Sequence, residues 1–389
     1  MRAGDVAVLG IGSTTFGRHG GMPIEELATR AAADALRDAG VERQEVGALY
    51  LGNFISGPLN GQEVLAGMVA DRLGLPNIPC TKVEGACASG GIAFRHAVLA
   101  IATGQCDVAL VVGAETMTHA STADVTAALN CAMDNASDGA SGLTFPGLFG
   151  MAWRIHAARH GTTRRQVSAV VRKNKRNGLL NPLAQMGAEL SDEMIEQSPM
   201  ICDPLQLYDC CPVSDGAAAL VLVRRDRARG SGRLPVEVLA SVQTRGASRI
   251  AGHSDLASFE ATVSAASRAY AMGGIGPKDV DLCELHDCFS IAEVVDSEDL
   301  GIVPRGEGAA WAAEGRTAVD GEIAINPSGG LLAKGHPVGA TGVSQIYEAV
   351  LQLRGQHANQ VKNAEIAMTH NLGGTGVACT VSLLRRGQA

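Results

Sequence analysis

Apolar and polar positions along this chain follow a pattern that is written twice. Ile24, Leu27, Ala28, Ala31 and Ala35 recur at three- and four-residue spacing, which gathers them on one helical face, and Gly40 supplies a left-handed stop. A polar linker leads into an apolar run over residues 45–51 that reads as a short strand. In the last third of the chain the same succession returns: a helix through Ala266–Tyr270, the stop Gly273-Gly274, a polar linker, and a strand over 279–285. Further along each copy a long apolar helix is expected, over 92–104 in the first and 342–354 in the second. Each is followed by Gly-Gln and then a strand, 107–112 or 364–368, that runs toward glycine. Alanine-rich helices resemble one another by chance, but chance does not also reproduce the order of elements. The pattern therefore predicts an α/β fold built from two duplicated halves, each with its own sheet and helices. The opening apolar stretch gives way at once to Ser13-Thr14-Thr15, which suits a first strand better than a leader.

Between the copies the pattern becomes irregular. Pro146, Pro182, Pro199, Pro204 and Pro212 interrupt it, with one helix expected near 149–160. The expected division is residues 1–116 as the first part of the N-terminal half, 117–230 as a loop insertion returning to that half near its end, and 231–389 as the C-terminal half. An insertion of this length usually serves as a lid or binding excursion, so substrate contacts are expected from it. It holds the densest basic cluster, Arg164, Arg165, Arg172, Lys173, Lys175 and Arg176. Either this is a solvated helix face or it is an approach surface for a phosphorylated ligand.

Composition narrows the function. A net charge of −8 without a basic stripe argues against nucleic acid as a partner, and aromatics at 3% leave little for base stacking. No apolar run reaches the ~18 residues of a membrane span, so no membrane insertion is expected. The ten cysteines show no paired CxxC spacing, so no metal is expected, and with no leader a reduced, cytoplasmic protein is.

Candidate chemistry lies at the ends of predicted strands. Cys87 sits among small residues in VEGACASGG (83–91), just before a helix whose N-terminal dipole is expected to favour thiolate. By itself such a cysteine reads equally as core. Three C-terminal segments keep it company: ELHDCFS (284–290), NPSGGLLAKGHP (326–337) and NLGGTG (371–376). Alone, His286 beside Asp287 reads as a paired structural histidine, Cys288 before Phe289 as packing, and Gly335-His336-Pro337 as a turn. If the halves pack about a pseudo-twofold axis, the helices after Cys87 and His336 meet with both N-termini at one site. His96, His119 and the Cys210-Cys211 pair are given no role; Asp215 and Gly216 read as fixing the start of a strand.

Six motifs in order, VEGACASGG, GLTFPGLFGMAWR, DCCPVSDGAAALVLV, ELHDCFSIAE, GHPVGATG and NLGGTG, make the chain resemble the thiolase superfamily, in its sterol-carrier-protein-like branch. The resemblance implies a five-layered αβαβα thiolase fold with an inserted loop domain, coenzyme A thioesters as substrates and no bound cofactor. It also implies a homodimer or homotetramer, in some relatives with a small accessory protein. Carried over by residue, Cys87 is the acylated nucleophile and His336 activates it. His286 and Cys288 belong to the His-Asp-Cys-Phe motif of this branch, and the amides of Cys87 and Gly373 resemble an oxyanion hole. With Asn371 where many thiolases carry a second catalytic cysteine, Cys288 as thiolate takes the acid/base role. The rivals are a hydrolase elbow at Gly85-x-Cys87-x-Ser89, an acyltransferase or aldolase working with a partner subunit, and a non-catalytic acyl-carrier module. A covalent acyl adduct separates the last from an enzyme.

Overall fold

The computed structural model describes residues 5–228 and 232–388; the boundary expected at 230/231 lies outside the described residues, as do residues 1–4 and 389. The first half contributes β1 (Val6–Ser13), α1 (Ile24–Ala39), β2 (Ala48–Gly52), β3 (Cys80–Val83), α2 (Ser89–Ala102) and β4 (Val108–Glu115). An excursion carrying α3 (Phe145–His160) and α4 (Arg164–Leu180) returns as β5 (Gly216–Arg224). The second half runs through β6 (Val236–Thr244), α5 (Glu260–Gly273), β7 (Leu282–Glu284), α6 (Ser290–Asp299), β8 (Ala324–Ile325), α7 (Val338–Arg354), β9 (Ile366–Gly373) and β10 (Ala378–Arg386).

These strands form one 10-stranded sheet in the order β8-β7-β9-β10-β6-β1-β5-β4-β2-β3. Outward from the antiparallel β1–β6 seam, the order β1-β5-β4-β2-β3 on one side matches β6-β10-β9-β7-β8 on the other. Pairing senses match too: β2 lies parallel to β3 and β4, and β7 parallel to β8 and β9, while the remaining neighbours are antiparallel. The duplication read from the sequence is thus a duplication of topology.

Side-chain alternation sets the layers, because successive strand residues face opposite sides. In β4, Val108, Leu110 and Val112 pack with Leu27, Ala31 and Ala35 of α1, whereas Ala109 and Val111 turn to Phe94 and Ala97 of α2 and Val343 and Ile346 of α7. In the second half Met368 and Leu383 face α5 and α6, and Ala367 and Leu384 face the same central pair of helices. Five layers result, with α2 and α7 sandwiched between the two halves of the sheet. These helices approach to backbone contact: a Cβ on Gly90 would lie 2.8 Å from Val343 N and 2.9 Å from Gly339 O. Glycine there is what lets the helices' N-termini converge.

Differences from the expected elements have a common cause. Helix α2 begins at Ser89 and α7 at Val338, both earlier than expected, because their first turns are made of small residues that carry no apolar stripe. Strand β9 continues through Thr369, His370 and Asn371, which are polar yet at most 5% exposed. Asp215 fixes the start of β5 as expected, accepting from the amides of Met117 and Thr118 and from the Thr118 hydroxyl where the excursion leaves.

Candidate active site

Cys87 sits in a tight 3-10 turn, Ala86–Ala88, between β3 and α2. Ala86 adopts φ +51°, a strained value for a residue with a Cβ. The turn is held by local bonds: Ala86 N donates to Glu84 Oε1 (2.5 Å), Gly85 N to Ser89 Oγ (3.0 Å), and Ser89 Oγ to Ala86 O (2.6 Å). Such bracing keeps the sulfur aimed out of the helix axis toward the second half. Cys87 is half-buried. Desolvation nevertheless pushes its thiol up to about 12; the amides of Gly374 and of Cys87 itself oppose this without overcoming it. The expected thiolate is therefore corrected: desolvation outweighs the helix dipole, and the resting group is a thiol.

One ring nitrogen each of His286 and His336 lies with Cys87 Sγ in a group whose atoms are all within 4.8 Å of one another. By spacing alone a soft cation could sit among them, a possibility hidden from the sequence because the three come from separate segments. The imidazoles meet edge to face, centroids 4.9 Å apart. Their hydrogen bonds assign opposite tautomers. Thr341 Oγ1 donates to Pro337 O (3.2 Å), so its contact with His336 Nδ1 (2.7 Å) is as acceptor, and Nδ1 carries the proton. His336 Nε2 is left as a lone-pair acceptor. Asn371 Oδ1 accepts from Gly91 N (3.3 Å), which turns its amide nitrogen toward His286 Nδ1 (3.1 Å). Nδ1 of His286 is thus the acceptor and Nε2 carries the proton. Burial holds both rings neutral, His336 down at about 3 and His286 well below its ordinary value, the latter also through His336 and His370. The two rings thus hold opposite tautomers, and one nitrogen of each lies near the same sulfur.

Cys288 stands in the turn between β7 and α6, within electrostatic reach of Cys87. It is half-buried, and its carbonyl accepts from Cys211 N (3.1 Å). Desolvation, with Cys211 and Cys87 nearby, raises its thiol well above the ordinary range, so it too rests protonated rather than as the expected thiolate. Buried carboxylates hold the frame. Glu115 at the end of β4 accepts from Asn53 Nδ2 and from the amides of Phe54, Ile55 and Gly339, tying the start of α7 to the first half. Asp287 accepts from Leu331 N, Leu332 N and Asn174 Nδ2, so it supports the chain leading to His336 rather than pairing with His286.

Both glycines after Asn371 border the sulfur. Gly373 packs so closely on the Cys87 turn that a Cβ would lie 2.2 Å from Gly85 O, and the Gly374 amide points at the sulfur. Cys87, His286 and His336 therefore come together with the Gly373 backbone packed on the Cys87 turn, and Cys288 lies within electrostatic reach of Cys87. The basic cluster does not join them. Arg164 pairs with Asp209, Arg172 with Asp192, Arg176 with Glu189 and Lys173 with Glu293, while Lys175 is buried and donates to Leu332 O (2.6 Å). Of the face read either as solvated or as a phosphate approach, Arg165 and Arg176 are exposed, as the solvated alternative expects, while the buried acids Asp209 and Glu293 engage Arg164 and Lys173. Thr341, Ser214 (accepting from His336 N, 3.0 Å) and Glu115 were not singled out by sequence reasoning, and Asn371 was noted only as standing in place of a second cysteine. Position alone could have flagged Thr341, since it stands within a motif.

A thiol nucleophile and two histidines of opposite tautomer, at the convergence of two helices in a duplicated α/β sandwich, define an acyl-transfer site of the cysteine–histidine class. Comparison makes the assignment specific. Residues 6–226 match the family model "Thiolase, N-terminal domain" and residues 242–386 match "Thiolase C-terminal domain-like", so the chain belongs to the thiolase family. It is 44% identical to an acetyl-CoA acetyltransferase of Methanothermobacter thermautotrophicus, over 98% of this chain and 100% of that one. It is 34% identical to sterol carrier protein 2 of Bos taurus, over 98% of this chain and 72% of that protein. Among solved structures, one described as "Ltp2-ChsH2(DUF35) aldolase" superposes with a TM-score of 0.86 at 26% identity, covering 98% of both chains.

Proposed function

We propose that this thiolase is an acetyl-CoA C-acyltransferase that makes and cleaves short 3-ketoacyl-coenzyme A through an acyl-Cys87 intermediate. One observation carries the reading: a thiol and one ring nitrogen from each of two imidazoles of opposite tautomer, within 4.8 Å of one another. In the cleaving direction Cys87 attacks the 3-keto carbon while its proton passes to His336 Nε2. With the thiol near 12 and the imidazole near 3, a standing ion pair is disfavoured, so proton transfer accompanies S–C bond formation. The oxyanion is met by the amides of Cys87 and Gly373. Collapse breaks the carbon–carbon bond and the acetyl thioester leaves as an enolate, its oxygen facing N–H groups of His286 and of protonated His336, its carbon protonated by the Cys288 thiol. Free coenzyme A then attacks acyl-Cys87, giving its proton to Cys288, while His336 returns its proton to Cys87. A Cys288 that rests as thiol is the acid this sequence needs first. No bound cofactor enters the scheme.

The acyl group is expected to be short. Met117, Val125 and Ala128 of the excursion pack with Ile55 and Val338 into a closed apolar cluster against Cys87. Met117→Ala is expected to raise kcat/KM for a six-carbon over a four-carbon ketoacyl thioester by roughly 10-fold, about the value of one or two methylenes in a pocket; competition assays with the two substrates read this ratio. Asn371→Ala removes the donor that fixes the His286 tautomer and is expected to lower kcat 10- to 100-fold, about the usual cost of losing an orienting partner, with Cys87 still acylated.

The reading includes a cytoplasmic enzyme, where ten free thiols stay reduced, assembled as a homodimer or homotetramer. Exposed Met194, Met200, Ile201 and Leu207 of the excursion provide apolar surface for such contacts. The aldolase of similar structure favours a second reading, aldol cleavage with a partner subunit. Acetoacetyl-coenzyme A thiolysis by the isolated chain decides between them: turnover supports the thiolase, and its absence on short and medium chains moves the assignment to the partner-dependent enzyme.

A further inference from the structure

Helix α6 turns four acids into the interior, Glu293, Asp296, Glu298 and Asp299. Three are satisfied. Glu293 accepts from Asn174 and Asn326 and pairs with Lys173; Glu298 meets His156 and the Gly308 amide; Asp299 accepts from Phe259 N and Ser258 and pairs with Arg305. Asp296 is fully buried, and neither of its oxygens has a hydrogen-bond partner among the described residues. Opposite it on β9 stands His370, also fully buried, with Nε2 4.0 Å from Asp296 Oδ1 and 3.0 Å from Thr262 Oγ1. His370 Nδ1 is unpartnered, and so is Oε1 of Gln345, whose amide nitrogen donates to the His370 carbonyl (2.8 Å). Orphaned polar atoms at this depth call for ordered water or for a protonation state that needs no donor. An ionised carboxylate at Asp296 would have nothing to donate to it.

The pair stands directly behind the reacting groups. His370 precedes Asn371, the donor to His286, and Asp296 lies on the helix that starts just after Cys288. A charge on Asp296 is felt at Cys288, Cys379 and Cys283, and its own surroundings include Asp299 and Asp287 as well as His370. On β9, β10 and α5 the neighbouring groups are His370, Cys379 and Thr262, of which Thr262 does not titrate.

We propose that Asp296, as a protonated carboxyl joined to His370 through buried water, is a positioning residue for the carbon–carbon step. It keeps the region behind Cys288 uncharged, and its ionisation at alkaline pH stops that step while leaving acylation of Cys87 intact. The inference rests on the acyl-cysteine reading above. Burial, with Asp299 and Asp287 close by, holds its carboxyl well above the ordinary range, in agreement with the missing donors. A negative charge there would oppose any thiolate at Cys288; an asparagine cannot acquire one.

The test compares wild type with Asp296→Asn in two measurements: the pH profile of kcat for acetoacetyl-coenzyme A thiolysis, and the acetyl adduct formed on Cys87 with acetyl-coenzyme A, read by intact mass. The expected result is an alkaline limb moved upward by about one pH unit or more in the variant, a tenfold gain at the pH where wild type is falling, with stoichiometric acetylation in both proteins. Superimposable profiles in two acetylated proteins overturn the role of Asp296 alone. Loss of the adduct in the variant also overturns it, because the effect would not be confined to the carbon–carbon step. A wild type that never takes up acetyl overturns the thiolase reading itself. Should Asp296→Asn not fold, Asp296→Ser, which also cannot ionise, carries the same comparison.

Discussion

Cys87→Ala is expected to leave a folded protein that never gains the mass of an acetyl group and whose thiolysis rate falls by about 10⁴-fold or more, the usual loss when a covalent nucleophile is removed. The size follows from the geometry. His336 and the amides around the Cys87 turn act only on a bond made to that sulfur, so without it they have nothing to stabilise. A second measurement on wild type tests the protonation state. With the thiol pushed up to about 12, alkylation by a small neutral reagent should be slow at neutral pH and keep rising through pH 9 and above. A plateau already reached at pH 7 would show a thiolate at rest and remove the argument that proton transfer accompanies attack.

Cys288→Ala is expected to separate the half-reactions. Acetyl-coenzyme A should still acylate Cys87, though more slowly, since nucleophile, base and oxyanion donors are untouched and coenzyme A can leave as a thiolate without the proton Cys288 would give it. Condensation and thiolysis should fall by roughly 10²–10⁴-fold, the range for one general acid–base group. Stoichiometric adduct without turnover, seen by mass spectrometry beside a steady-state assay, is the outcome that assigns Cys288. Full turnover would return that cysteine to packing and leave His286 as the proton carrier.

Much of this arrangement was legible before any coordinates. Duplication showed in the repeated helix–glycine–strand order, because periodicity records which faces are buried. Cys87, His286, Cys288 and His336 could be read as candidates because they stand in motifs at strand ends that resemble those of thiolases, and the structure brings Cys87, His286 and His336 together. What the sequence hid was everything set by burial and orientation. The thiol states of Cys87 and Cys288 depend on how much protein surrounds them, which no local pattern encodes. The tautomers of the two histidines depend on Thr341 and Asn371, one five residues from its partner and the other on a different strand. The ion pairing of the basic face of α4 was hidden because its counter-charges, Asp192, Asp209 and Glu293, come from other elements. Buried polar strand residues such as His370 read as loop for the same reason: an apolar criterion does not register a histidine packed at zero exposure.

The seam where β1 pairs with β6 has a consequence for the chain during its own synthesis. The reactive sulfur emerges early, while both imidazoles belong to segments made much later, and nothing before β6 brings them together. Contacts of such long sequence separation form late, so a half-made chain carries its thiol exposed, near its ordinary value and without its base. Completion of the fold buries the sulfur, raises its pKa and hands it to the imidazoles, exchanging general reactivity for reaction with a bound substrate.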